Sequence, residues 1–253
     1  VRNIRLTLEY DGTDYVGWQM QDNGLAVQEV VTTALEALTG HPITLYGSGR
    51  TDSGVHAEGQ NANFFTNSNA PLRAYVMGLN AMLPDDITVS SAALMSSGFD
   101  SRRDARGKTY RYIILNTATP SALWRRWSWW VFRPLDSEAM ARVGAQLVGI
   151  HDFSAFRSAR CDSTQAVRRI DSLTVERKGD FVELTVRGSG FLRNMVRIIA
   201  GTLMEAGLGK LDEDDVKAAF ETGDRELIGI TAPAQGLALV SVAYDEEPSE
   251  SYP

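Results

Sequence analysis

Between Asn3 and Met95 the hydrophobic period of this chain switches from about two to about three and a half and back again, twice. Residues 3–10 place Ile4, Leu6, Leu8 and Tyr10 at alternate positions, the pattern of a half-buried strand. Val27, Val30, Val31, Ala34, Leu35 and Leu38 then recur at helical spacing, and Gly40 and Pro42 close that helix. Residues 43–46 and 61–65 read as short strands, being rich in β-branched and aromatic side chains. Pro71 suits the first turn of a second helix with a stripe of Leu72, Tyr75, Val76, Leu79 and Leu83, and residues 87–95 return as a strand. Helices alternating with strands, some joined by tight loops, predict an α+β fold: a mainly antiparallel sheet with helices on one face.

The second half carries a similar mixture. Residues 109–115 form a strand with Tyr110, Tyr112 and Ile114 on one face. Ser137 and Glu138 open a helix bearing Met140, Val143 and Leu147, and residues 170–176 and 181–187 make a hairpin around Lys178-Gly179-Asp180. A helix over 191–201 is apolar nearly all round, with Arg193 and Arg197 four apart on one edge. An acid-started helix at 212–220 and a strand at 236–244 follow. The element order repeats but the residues do not. Two similar halves are expected, an N-terminal subdomain over 1–104 and a C-terminal one over 105–253, with the polar, basic stretch 98–107 between them as a linker or binding loop.

A hydrophobic content of 43% and a charged content of 23% in 253 residues fit a soluble globular protein, and no run of 18 apolar residues suggests a membrane span. The start of the sequence has a charged strand pattern rather than that of a signal peptide. The single cysteine, Cys161, excludes an internal disulfide and fits a reducing cytoplasm. His41, His56 and His151 make no metal-ligand spacing, so no metal site is expected.

The net charge of −7 argues against nucleic acid until its distribution is considered. Residues 203–253 hold twelve acids and three bases, which leaves the rest of the chain at +2. Arg102, Arg103, Arg106, Lys108, Arg111, Arg125 and Arg126 cluster with only Asp104 among them. Of the 25 basic residues 21 are arginine, whose planar fork suits phosphate, although a GC-rich genome produces the same bias. Within the segment Trp124-Arg-Arg-Trp-Ser-Trp-Trp130, tryptophan and arginine could form a stacking surface for RNA. A buried strand or a subunit contact is favoured by the average burial of tryptophan.

The chemistry-bearing stretch is Tyr46-Gly-Ser-Gly-Arg-Thr-Asp-Ser-Gly-Val-His-Ala-Glu-Gly-Gln60. Four glycines give it conformational freedom, and Arg50 and Asp52 stand two apart between flanking strands. It is neither a dinucleotide fingerprint nor a Walker loop, because the glycine spacing is not followed by a helix or by Gly-Lys-Ser/Thr. On composition alone it is equally a surface turn with a solvated ion pair.

Gly49-Arg-Thr-Asp-Ser-Gly-Val-His-Ala57 resembles the signature of the tRNA pseudouridine synthase A family. Further likenesses are Tyr10-Asp-Gly with Gly17-Trp-Gln19, Lys108-Thr-Tyr-Arg-Tyr112, His151 to Phe156, the Phe191-x-x-x-Met-Val-Arg197 pattern and Ala232 to Leu237, so the resemblance covers nearly the whole chain. Ser53, Ser101 and Arg103 depart from the family pattern.

The resemblance implies the pseudouridine synthase fold with a central basic cleft, and conversion of uridine to pseudouridine at positions 38 to 40 of the tRNA anticodon stem-loop. It implies Asp52 as nucleophile, Arg197 as the arginine that pairs with it, Tyr110 against the uracil, and Arg50 beside the nucleophile facing RNA. It also implies a homodimer, with tRNA as partner and no cofactor. Trp18 in this frame could stack on a base or fill the core. Two rivals remain at this point: an RNA-binding module without catalysis, and an Asp/His hydrolase using Asp52 and His56.

Overall fold

The computed structural model describes residues 1–158 and 165–253; Cys161 lies outside the described residues. The chain divides into two compact units, Val1–Arg106 with Leu239–Pro253, and Gly107–Ala238.

The first unit is built on strands β1 (Arg2–Tyr10), β2 (Tyr46–Gly47), β3 (His56–Thr66) and β4 (Ile87–Met95), with helix α1 (Val27–Thr39) between β1 and β2. β1 is antiparallel to both long neighbours: Leu6 lies opposite Ala62 on β3 and Ala92 on β4. Ile4, Leu6 and Leu8 are fully buried, each contributing about 1.5–3 kcal/mol of apolar burial. α1 ends as its sequence dictates, with Gly40 left-handed at φ +76° and its N–H on the Glu36 carbonyl. The apolar stripe from Leu72 to Leu83 is buried, but Ala74–Gly78 is a π-helical turn rather than α-helix.

Two strand expectations change here. β3 starts at His56, five residues early, because Gln60 and Ala57 pair with Leu8 and Tyr10 of β1. Gly59 therefore lies within the strand, where a β-carbon would come 2.4 Å from the Val240 carbonyl oxygen. In the stretch 43–46, only Tyr46 pairs as strand.

The second unit holds β5 (Ala105–Leu115, whose first two residues belong to unit one), β6 (Trp129–Trp130), helix α2 (Ser137–Ala145), β7 (Gly149–Asp152), β8 (Val167–Lys178), β9 (Phe181–Gly188), and helices α3 (Met195–Gly207) and α4 (Glu213–Thr222). β5, β9, β8 and β7 are antiparallel neighbours in that order, and β6 lies parallel to the end of β5. Asp136 caps α2 by accepting from the Glu138 and Ala139 amides, which hold its carboxyl below the usual range. In α3 only Arg197 and Glu205 are not buried. α3 packs so closely that a β-carbon on Gly201 would overlap the Ile230 carbonyl oxygen, 1.8 Å away.

α3 begins at Met195, not at 191, because Asn194 is left-handed and interrupts the helix. Arg193 therefore stands outside α3 and does not share an edge with Arg197.

The last strands, β10 (Leu237–Tyr244) and β11 (Glu250–Tyr252), return to the first unit from Leu239 onward. β11 pairs with β4, Tyr244 packs edge-on to Phe99 at 5.1 Å, and the Ser249 amide donates to the Leu94 carbonyl. This differs from a single division at 104/105: one break falls at 106/107, and the C-terminal residues join the first unit through strand pairing that no local pattern announces.

The tryptophan segment is not a buried strand. Residues 122–127 form turns, and Trp124, Trp127 and Trp130 are 41%, 41% and 40% exposed. Only Trp129–Trp130 pairs, along the end of β5. Among the described residues no helix is long and apolar enough to cross a membrane.

Candidate active-site loop and its supports

The loop between β2 and β3 is held along most of its length by hydrogen bonds to neighbouring segments. Upstream, the buried Gln60 side chain donates to the Gly49 carbonyl at 2.9 Å and accepts from the Ser48 hydroxyl at 2.6 Å. Thr51 is buried, with its hydroxyl 2.7 Å from the Tyr10 hydroxyl and its carbonyl accepting from the Trp18 amide at 3.2 Å. The Ser53 hydroxyl donates to the Tyr15 carbonyl at 3.1 Å, and the Val55 amide donates to the Asp52 carbonyl at 3.1 Å. Asp52 itself is half-buried and Arg50 is exposed.

The segment from Tyr10 to Trp18 is thus the cradle of the loop, and two glycines let it approach. A β-carbon on Gly12 would lie 2.0 Å from the Val55 carbonyl oxygen. Gly17, at φ +109°, would place one 2.5 Å from the Thr51 oxygen. The sequence places these glycines beside Tyr10 and Trp18 but does not show what they touch.

His56 and Trp18 have structural roles. His56 is buried and its Nδ1 accepts from the Gly12 amide at 3.0 Å, with Asp11 Oδ1 3.1 Å away. Trp18 is buried, stacks on Tyr10 at 6.2 Å, and blocks any side chain at Gly47. It fills the core, the second of its two sequence-based readings.

In the second unit Tyr112 and Arg197 both contact the segment 232–236, and Tyr110 lies two residues before Tyr112 on the same strand. Tyr110 is buried on β5 with its ring edge-on to Phe191 at 5.3 Å. Tyr112 is fully buried and its hydroxyl donates to the Pro233 carbonyl at 2.8 Å. Burial pushes the Tyr112 hydroxyl far above the ordinary phenol range, against a smaller opposing effect of the Arg197 charge. A side chain at Gly236 would strike the Tyr112 ring. Arg197 Nε donates to the Ala232 carbonyl at 2.7 Å, Nη1 donates to Asn194 Oδ1 at 3.2 Å, and the Ala232 amide donates back to the Arg197 carbonyl at 3.0 Å.

Arg50 and Asp52 therefore share one loop of the first unit, while Tyr110 and Arg197 belong to the second. Sequence reasoning missed Asn194 and the Ala232 carbonyl; the available signal was an asparagine just before an apolar helix. Of the basic cluster, Arg106 is bound to Asp245 at 2.6 Å, an acid 139 residues away. No group of three or more possible metal ligands occurs among the described residues.

A family model described as tRNA pseudouridine synthase matches residues 7–98 and 144–245. Proteins called tRNA pseudouridine synthase A are similar over nearly the full chain. That of Syntrophotalea carbinolica is 50% identical over 241 residues, covering 95% of this chain and 96% of its own length. That of Pelobacter propionicus is 48% identical over 244 residues, covering 96% and 100%. That of Myxococcus xanthus is 48% identical over 251 residues, covering 99% and 95%. Among solved structures, a chain of a Cbf5–Nop10–Gar1 complex aligns at TM-score 0.40 and 12% identity, over 95% of this chain and 50% of that one, a likeness too low to bear on function.

Proposed function

Because the chain belongs to the tRNA pseudouridine synthase family, we propose that this isomerase acts on uridines of the tRNA anticodon stem-loop, at positions 38 to 40, with Asp52 as nucleophile. The observation that carries the role of Asp52 is the loop itself. A half-buried carboxylate stands between Thr51 and Ser53, each tied to the Tyr10–Trp18 cradle. Such rigidity is what a reacting group needs.

The reaction breaks the C1′–N1 bond of uridine and joins C1′ to C5; C5 loses its proton and N1 gains one. There is no net oxidation, so the rearrangement calls for no redox cofactor. Asp52 attacks C1′ or assists removal of the C2′ proton. Arg197 is proposed to pair with it and keep it ionised, since a nearby opposite charge favours the carboxylate. Tyr110, its ring braced against Phe191, is proposed to hold the detached uracil by stacking as the base turns. Arg50, exposed beside Asp52, is proposed to face RNA phosphate. The target uridine has to leave its stack to react.

Incubation with an unmodified tRNA transcript, followed by chemical mapping of pseudouridine, tests the substrate assignment. Signal at positions 38 to 40 is expected. Signal confined elsewhere would overturn the stem-loop assignment, and no signal would favour an RNA-binding module without catalysis.

The proposed partners are tRNA and a second copy of the chain. For tRNA, residues 105–135 contain six basic residues and no acid, a composition suited to phosphate. For a second copy, Leu123, Trp124, Trp127, Trp130 and Phe132 are all exposed within ten positions, the kind of apolar surface that marks an interface. Light scattering is expected to give the mass of two chains, and of one chain for the Trp130→Arg, Phe132→Asp double variant. An unchanged dimer in that variant would remove the segment from the interface.

A further inference from the structure

We propose that Asn194 is a positioning residue for Arg197, holding the guanidinium in the plane in which it meets the catalytic carboxylate; this rests on the reading that Arg197 acts on Asp52.

Asn194 is the only non-glycine residue with a positive φ among the described residues, at +62°. That conformation is unfavourable for an ordinary L-residue, and asparagine is among the few that adopt it readily. It sits at the N-cap of α3, yet its side chain caps no helix amide. Its amide oxygen instead accepts from Arg197 Nη1, three residues on, at 3.2 Å. The left-handed turn thus stops the helix one residue before Met195 and directs the Asn194 amide onto the next turn.

The Ala232 carbonyl takes Nε at 2.7 Å. Two acceptors on two different nitrogens of a planar group define its plane, and so the directions of all five N–H bonds. An arginine side chain has much rotamer entropy to lose, and these contacts remove part of it before substrate arrives.

The test separates the backbone from the amide. Asn194→Gly keeps the left-handed backbone without steric cost and removes the oxygen. Asn194→Asp keeps both. With enzyme in excess over tRNA, Asn194→Gly is expected to lower the single-turnover rate about 10-fold, the scale of one hydrogen bond to a charged group. tRNA affinity and the thermal unfolding midpoint should stay at the parent values, and Asn194→Asp should recover most of the rate. Parent rate in Asn194→Gly, beside an inactive Arg197→Met, would overturn the clamp and leave Arg197 in place. A large fall in the unfolding midpoint of Asn194→Gly, with no recovery in Asn194→Asp, would make Asn194 structural and also overturn it. Full activity of Arg197→Met would remove the premise and the proposal together.

Discussion

Asp52→Asn is expected to give a folded protein that binds tRNA and forms no pseudouridine. The substitution keeps the size of the side chain and removes its charge. The anchors of the loop, from Gln60, Tyr10, Trp18 and Tyr15, involve other residues, so they survive the change. Stability should move by no more than the roughly 0.5–2 kcal/mol of a lost cap. The rate should fall by about 10⁴-fold or more, because an amide cannot replace a carboxylate nucleophile. Binding is expected to hold or tighten, since a carboxylate near RNA phosphate is repelled by it. The measurement is tritium release from C5-labelled uridine in tRNA with enzyme in excess, which reads the chemistry without product release. A purely structural Asp52 would instead lose stability and keep its rate. A purely RNA-binding Asp52 would lose affinity and keep its rate at saturation. Clear residual release by Asp52→Asn would sink the nucleophile assignment.

The second large effect concerns Arg197. Arg197→Met is expected to lower the single-turnover rate at least about 10²-fold, the scale set by removing a fixed charge-stabilising donor from a site. It also leaves the Ala232 carbonyl without its side-chain donor, at a cost of about 1–3 kcal/mol if that oxygen stays dry. A fall in the unfolding midpoint is therefore expected alongside the loss of rate. Arg197→Lys separates the two, because an ammonium can restore charge but not the forked geometry that reaches Asn194 and Ala232 together. It should recover only part of the rate. Arg197→Met at the parent rate would show that the charge pairing is wrong.

His56 shows why the nearest chemically attractive residue in a motif need not be chemical. It lies four positions from Asp52 and invites an acid–base reading. Burial and the Gly12 amide on Nδ1 make it a joint between β1 and β3. That disfavours the hydrolase alternative, which needs its imidazole at the reacting atoms. Trp18 is settled by the same kind of fact. An indole against Gly47 and stacked on Tyr10 is walled in by protein, so it cannot also stack on a base.

The sequence by itself determined most of the elements and singled out the candidate loop. Period-two and helical spacing are carried by consecutive residues, so β1, α1, the β8–β9 hairpin and the burial of α3 could all be read locally. The loop around Asp52 was legible because its glycines and paired charges are contiguous. Only the tertiary structure decided where β10 and β11 belong, since strand pairing joins residues far apart in the chain. It decided that Arg106 is held by Asp245 and that three tryptophans face outward, because a run of apolar residues does not say what covers it. It decided the start of α3, where one left-handed φ at Asn194 outweighs an apolar pattern that continues through it. The physical reason is common to all of these: periodicity specifies which side chains share a face, while the partner of that face and the torsion at a single residue depend on atoms that only the folded chain brings near.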